Sequence, residues 1–271
     1  MREIIRKVPI PTAGVALGLA ALGNLLQPYT EIVHIVCGIL SLVLIAMLGA
    51  KIALFPDMIR DDLHNSIMAS VSATLFMTLM QLAGYLAPFA YIPAFALWSA
   101  AVVAHLALMG WFTARFISHF KLHEVFPTYF ICYVGIVVAS VTSPTFGMEA
   151  VGHLLFWFGF ACYVVLLGLV TYRYMKHEIP ESARPLFCIY TAPMSLSLVG
   201  YLATAPQPNL VFVLAMLVLA QVLFAVVLSR LPVLLRLRFY PSYAAMTFPF
   251  VITATALGKA LAFFQANGFA V

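Results

Sequence analysis

Long apolar runs, cut at intervals by proline, glycine and charge, occupy most of the chain. An α-helix needs about 20 mainly apolar residues to cross roughly 30 Å of hydrocarbon. Runs of that kind lie near 9–27, 31–53, 66–86, 91–117, 127–146, 150–173, 184–204, 208–230 and 241–264. The pattern predicts an all-α polytopic membrane protein with nine visible spans in one transmembrane domain, 1–271. The first run lacks a small-x-small cleavage site with a polar sequel, so it reads as a span and not as a signal peptide.

Basic residues fall in alternate connections. Arg2, Arg6 and Lys7 precede the first span, Lys51 and Arg60 follow the second, and Arg115 and Lys121 follow the fourth. Arg173, Lys176 and Arg184 follow the sixth, and Arg230, Arg236 and Arg238 the eighth. The opposite connections, around 27–30, 87–89, 144–147 and 205–208, hold neither lysine nor arginine. The positive-inside rule then predicts a cytoplasmic N-terminus in the cell's inner membrane. A wrong span count would have scrambled this asymmetry.

A second alternation runs through the spans. The odd ones carry small hydroxyl residues: Ser66, Ser70, Ser72, Thr74 and Thr78 in the third, and Thr128, Ser140, Thr142 and Ser143 in the fifth. Thr191, Ser195, Ser197 and Thr204 mark the seventh, and Thr247, Thr253 and Thr255 the ninth. Even spans such as "LLFWFGFACYVVLLGLV" and "VFVLAMLVLAQVLFAVVL" are bulky and plain. Hydroxyls gain nothing against lipid, but find partners against protein or a watery cavity. Each one is more often glue between helices than channel lining. Repetition over successive hairpins points further, to odd helices inside lining a pore and even helices outside. Ser70, Thr74 and Ser140 are the candidate lining hydroxyls, with Thr255 on the ninth span.

Proline also favours the odd spans. Pro193 and Pro249 lie within theirs, where a proline frees a carbonyl one turn back and bends the helix. In a bilayer that carbonyl needs a protein or water partner, so kinks around a wet path are expected at both.

Composition removes whole classes of function. Of 271 residues, 64% are hydrophobic and 8% charged, with mean hydropathy +1.06, which excludes a water-soluble domain. Lys259 apart, the basic residues behind the net charge of +5 gather on one membrane face, so no nucleic-acid partner is expected. Cys37, Cys132, Cys162 and Cys188 are scattered through apolar runs, without disulfide or metal-ligand spacing. No Asp or Glu falls in mid-span, which disfavours cation paths and ion-coupled pumps. No phosphate-binding loop or nucleophile–base pair is present, so neither an enzyme nor a cofactor is expected. The alternatives are a haem-binding oxidoreductase subunit using His34, His105 or His153, and a scaffold that transports nothing.

The stretch "TFPFVITATALGK", 247–259, carries candidate chemistry. At 100° per residue, Thr255 and Lys259 lie about 20° to either side of Phe248. The ring of Phe248 across a narrow neck would block it and keep it dry, and Lys259 near an outer mouth would concentrate anions. The structural alternatives are core or lipid packing for the phenylalanine and a snorkelling side chain for the lysine.

This stretch resembles the ninth helix of the tellurite-resistance/dicarboxylate transporter family. That family takes in TehA-like proteins, plant guard-cell slow anion channels and fungal malate permeases. "PIPTAGVALGLAAL", "FPTYFICYVGIVVAS" and "RPLFCIYTAPMSLSLVGY" are similar to its first, fifth and seventh helices, and the likeness spans essentially the whole chain. The resemblance implies a homotrimer in the lipid bilayer, each protomer a pseudo-fivefold ring of helical hairpins around its own pore for small anions. It also implies that Phe248 is the pore gate, that Gly14 leaves room for its ring, and that Lys259 is the basic position beyond it. The family has ten helices and this sequence stops after nine, so a truncated or incomplete last hairpin is expected.

Overall fold

The computed structural model describes residues 2–269, and regular structure among them is helical. A short α1 (Arg2–Arg6) precedes α2 (Thr12–Leu26) and α3 (Glu31–Leu54), the first hairpin. A connector, α4 (Pro56–Asp62), leads to α5 (Ser66–Val71) and α6 (Ala73–Leu86), which run on as one rod before α7 (Tyr91–Phe112). The fifth segment comes in two pieces, α8 (Thr128–Tyr133) and α9 (Val137–Thr142), followed by α10 (Glu149–Lys176). Then come α11 (Ala192–Thr204), α12 (Leu210–Leu234) and α13 (Phe248–Ala266).

Seven helical stretches among the described residues are long and apolar enough to cross a membrane, against nine predicted spans. The other two fall short for separate reasons. α2 has 15 residues because Pro9 and Pro11 delay its start. The fifth segment breaks over 134–136, at Gly135. A Cβ there would sit 2.1 Å from the Ile131 carbonyl oxygen and 2.7 Å from Met77 Sδ, so only glycine fits the bend. The Cys132 carbonyl at this break accepts a hydrogen bond from His105 Nε2 of α7, at 2.9 Å.

The expected proline kinks are corrected. Pro193 and Pro249 each occupy the second position of an α-helix, after a 3₁₀ stretch over Glu181–Thr191 or Pro241–Met246. A missing N–H costs little there, because the first turn leaves it without a helical partner anyway. Both prolines mark a switch from the tighter to the wider helix.

Contacts between elements place the odd segments side by side. α2 packs on α6, α6 on α9, α9 on α11, α11 on α13, and α13 returns to α2. The intervening helices lie against these: α3 on α2, α7 on α6, α10 on α9 and α11, and α12 on α11 and α13. Burial follows the same division. Within the apolar windows of α3, α7, α10 and α12 only 22–33% of residues are buried, against 83% for Glu181–Thr204 and 56% for Ser66–Leu86. The last inner segment is barer, at 39%, since Ala254, Leu257, Gly258 and Leu261 of α13 are uncovered.

Candidate permeation pathway

A cavity of about 260 Å³ lies among the five inner segments, and every one of them contributes to its wall. Pro11, Gly14 and Leu17 come from the first and Val71, Thr74 and Met77 from the third. Val134 and Gly135 at the break come from the fifth, Pro193 and Leu196 from the seventh, and Phe248 and Pro249 from the ninth. Ser182, Tyr240 and Ser242 line the end that carries the basic connections. Among the described residues no charged side chain lines the cavity. About one turn beyond Leu17, Met77, Leu196 and Phe248, the side chains of Ala20, Met80, Val199 and Ile252 are buried and line none of it.

The two prolines and the break shape this space. A 3₁₀ helix winds more tightly than an α-helix, so the switch at residues 191–193 and 246–249 turns new faces towards the cavity. Phe248 opens α13 and is 6% exposed. Phe250, two residues on, packs edge-on against Phe224 at 6.0 Å, whereas no ring partners Phe248 among the described residues. Nothing aromatic holds it in place.

Two glycines of α2 face the start of α13 in different ways. A Cβ on Gly14 would meet Ala244 Cβ at 3.8 Å and Thr74 Cγ2 at 3.9 Å, ordinary contacts that do not involve Phe248. A Cβ on Gly18 would lie 2.8 Å from Thr247 Cβ and 2.9 Å from the Phe248 backbone nitrogen. Gly18 therefore admits the start of α13. Gly14 forms cavity wall, and its carbonyl accepts a hydrogen bond from the Thr247 hydroxyl at 3.1 Å.

The hydroxyl alternation marks the inner helices, but most of these groups do not face the cavity. Ser70 Oγ donates to Thr128 Oγ1 at 2.8 Å, joining the third segment to the fifth. Thr78 Oγ1 donates to the Ala13 carbonyl at 3.1 Å, and Ser195 and Thr253 hydroxyls meet at 3.2 Å between the seventh and ninth. Ser140 Oγ donates outward to the Gly152 carbonyl of α10 at 2.6 Å. Of the candidate lining hydroxyls only Thr74 borders the cavity, and its own hydroxyl bonds to the Val71 carbonyl at 2.7 Å. The wall is apolar, not watery. The hydroxyls hold helices together, each interhelical bond contributing about 0.6 kcal/mol by measurements on membrane proteins.

A family model described as a voltage-dependent anion channel, SLAC1, matches residues 7–271. The chain belongs to the SLAC1 family. A comparison with curated proteins returns no match. Membership carries anion channel or transporter function, whose members are not enzymes, and agrees with the resemblance carried by the sequence motifs.

In this SLAC1-family chain the other expected positions lie apart from the cavity. Thr255 is half-buried and donates to the Val251 carbonyl at 3.0 Å, and Lys259 is exposed on the far half of α13. The span histidines are engaged elsewhere. His34 stacks on Tyr85 with centroids 4.0 Å apart, and His153 meets Thr204 and Trp157. His105 holds the Cys132 carbonyl. Among the described residues no His, Cys, Asp or Glu group is arranged to hold a metal.

The burial of two basic side chains, Lys51 and Arg173, escaped sequence reasoning, because both look like ordinary ends of apolar helices. Lys51, 4% exposed, donates to the Val8 carbonyl at 2.7 Å and lies 3.8 Å from Asp62 Oδ2, pinning the chain just before Pro9 and Pro11. Arg173, 2% exposed, sits near the end of α10.

Proposed function

We propose that the protein conducts small anions along the axis of a pseudo-fivefold ring of helical hairpins, through a path that Phe248 closes. The five inner segments form the ring and the outer helices shield it from lipid. The two short inner segments count as spans in this reading, because neighbouring helices cover them and no bilayer reaches their ends. The N-terminus and the basic connections are cytoplasmic, in the inner membrane, as the positive-inside rule requires. The cavity is then the inner vestibule. Three such protomers assemble as in the related transporters, each with its own path.

One observation carries this reading. Phe248, at the start of α13, lines a cavity to which all five inner segments contribute. Gly14, Thr74, Pro193 and Pro249 share that wall. Ser70 and Ser140 support it from behind through their bonds to Thr128 and Gly152. Lys259 acts at a distance, raising anion concentration near the outer mouth, with Thr255 on the same face of α13.

The lining also bears on the substrate. An anion entering a wall without charge leaves water with little compensation, and that penalty grows with the square of its charge. Monovalent inorganic anions are therefore favoured over four-carbon dicarboxylates or tellurite. Reconstituted liposomes test this directly, with chloride, nitrate, malate and tellurite fluxes compared side by side. Chloride and nitrate should move fastest. Faster malate flux would favour the dicarboxylate carriers, and no flux of any anion would leave a scaffold.

A further inference from the structure

A second pocket, of about 490 Å³, opens at the basic end and is lined by Asn65, Ser66, His123, Phe126, Arg173 and His177. Asn65 and Ile67 line both this pocket and the central cavity, so the two are neighbours.

Arg173 is the unusual group here. Its guanidinium lies over the Phe126 ring, 4.3 Å from the centroid, and Nη2 donates to the His123 carbonyl at 3.2 Å. Nε and Nη1 are buried with no partner. No ion pair among the described residues includes Arg173. The pocket does contain two carboxylates. Glu124 is taken by Lys121 at 3.1 Å, and Glu178 is exposed. An aromatic face compensates only part of a buried charge, and native proteins pair such charges or hold them by hydrogen bonds.

The missing partner is an anion. His123 and His177 stand with ring centroids 6.3 Å apart; His123 Nε2 lies 3.7 Å from Glu124 Oε1, and His177 offers a further N–H donor. Asn65 turns its Oδ1 to the Ile67 and Met68 backbone N–H groups, which leaves its amide NH₂ to donate. We propose that this pocket binds a small oxyanion as counter-ion to Arg173, either phosphate in solution or the phosphate of an anionic lipid headgroup. Nε and Nη1 are sealed from solvent, so occupancy requires the side chain to turn towards the pocket it already borders. Arg173 lies one turn from the end of α10, the level at which headgroups meet a spanning helix. The site borders the central cavity through Asn65 and Ile67.

The test is thermal unfolding of the purified protein followed by tryptophan fluorescence, in two arms. In delipidated detergent, millimolar phosphate is titrated at ionic strength held constant with gluconate. In nanodiscs, phosphatidylcholine alone is compared with phosphatidylcholine plus phosphatidylglycerol. A saturable rise of roughly 2–5 °C is expected in at least one arm, lost in Arg173→Gln. A rise in the first arm identifies a soluble anion, and a rise in the second alone identifies a headgroup. No rise in either arm with wild-type protein overturns the proposal, as does a rise of equal size in Arg173→Gln. Should that variant not fold, the His123→Gln/His177→Gln pair should need roughly fivefold more ligand for the same shift. An unchanged midpoint overturns the site. Binding is read without transport, so a failed flux experiment does not affect it.

Discussion

The Thr247 hydroxyl lies between two carbonyls, 2.7 Å from Ala244 in its own turn and 3.1 Å from Gly14, 233 residues away in the chain. The Gly14 contact ties the first inner helix to the start of the last, beside Phe248, which lines the cavity. Thr247→Val keeps the shape and removes the donor. It should lower unfolding stability by about 0.5–1.5 kcal/mol, with the exposed remainder of the cost set by the unpaired carbonyl. Thermal unfolding in detergent measures this, and an unchanged midpoint would mean that packing alone joins the two helices.

The two glycines of α2 separate packing from lining. A methyl group on Gly18 collides with Thr247 and the Phe248 backbone, so Gly18→Ala should destabilise by about 1–3 kcal/mol and displace the start of α13. Gly14→Ala meets only ordinary contacts and should leave stability nearly unchanged while narrowing the cavity. Unfolding midpoints and anion flux on both variants should therefore change in opposite order of size. Equal loss of stability in both would contradict this division of roles.

Ser140 and Thr74 form a second contrasting pair. Ser140→Ala breaks the bond to the Gly152 carbonyl, away from the cavity, and should weaken the fold by about 1 kcal/mol while leaving the nitrate-to-chloride permeability ratio intact. Thr74→Val exchanges an oxygen for a methyl on the cavity wall and should shift that ratio with little effect on stability. Bi-ionic reversal potentials distinguish the two. A shifted ratio in Ser140→Ala would put that hydroxyl on the path after all.

Lys259 is exposed and remote from the cavity, so its influence is a field effect. Fields are screened over about 30 Å at 0.01 M salt and about 8 Å at 0.15 M. Lys259→Ala should reduce anion flux at the lower salt and barely change it at the higher. Equal loss at both would point to a packing defect in α13.

Much of the architecture was legible because it depends on counting. The basic residues alternate between connections, and Arg60, Lys121 and Arg236 show that alternation without any geometry. The division into inner and outer segments followed from where hydroxyls occur. What each hydroxyl does was not legible. The helical period fixes the angle between Ser140 and its neighbours, but not the rotation of that helix against α10, and a rotation of a few tens of degrees decides between cavity and interface. Pro193 and Pro249 misled for a related reason. An interior proline kinks an α-helix, but the preceding turns are 3₁₀, so each proline falls in a first turn instead. Gly18 and Arg173 matter through partners 229 and 50 residues away, Thr247 and His123, which no local pattern discloses.

The central claim is that Phe248 blocks an otherwise continuous route for anions. Its most direct measurement is the chloride and nitrate current of Phe248→Ala in planar bilayers, with Phe250→Ala as the neighbouring control. The account predicts a current at least about tenfold above wild type in the first and near wild type in the second, as expected when a dry constriction is opened. A Phe248→Ala current indistinguishable from wild type, in protein shown to be folded, would contradict it.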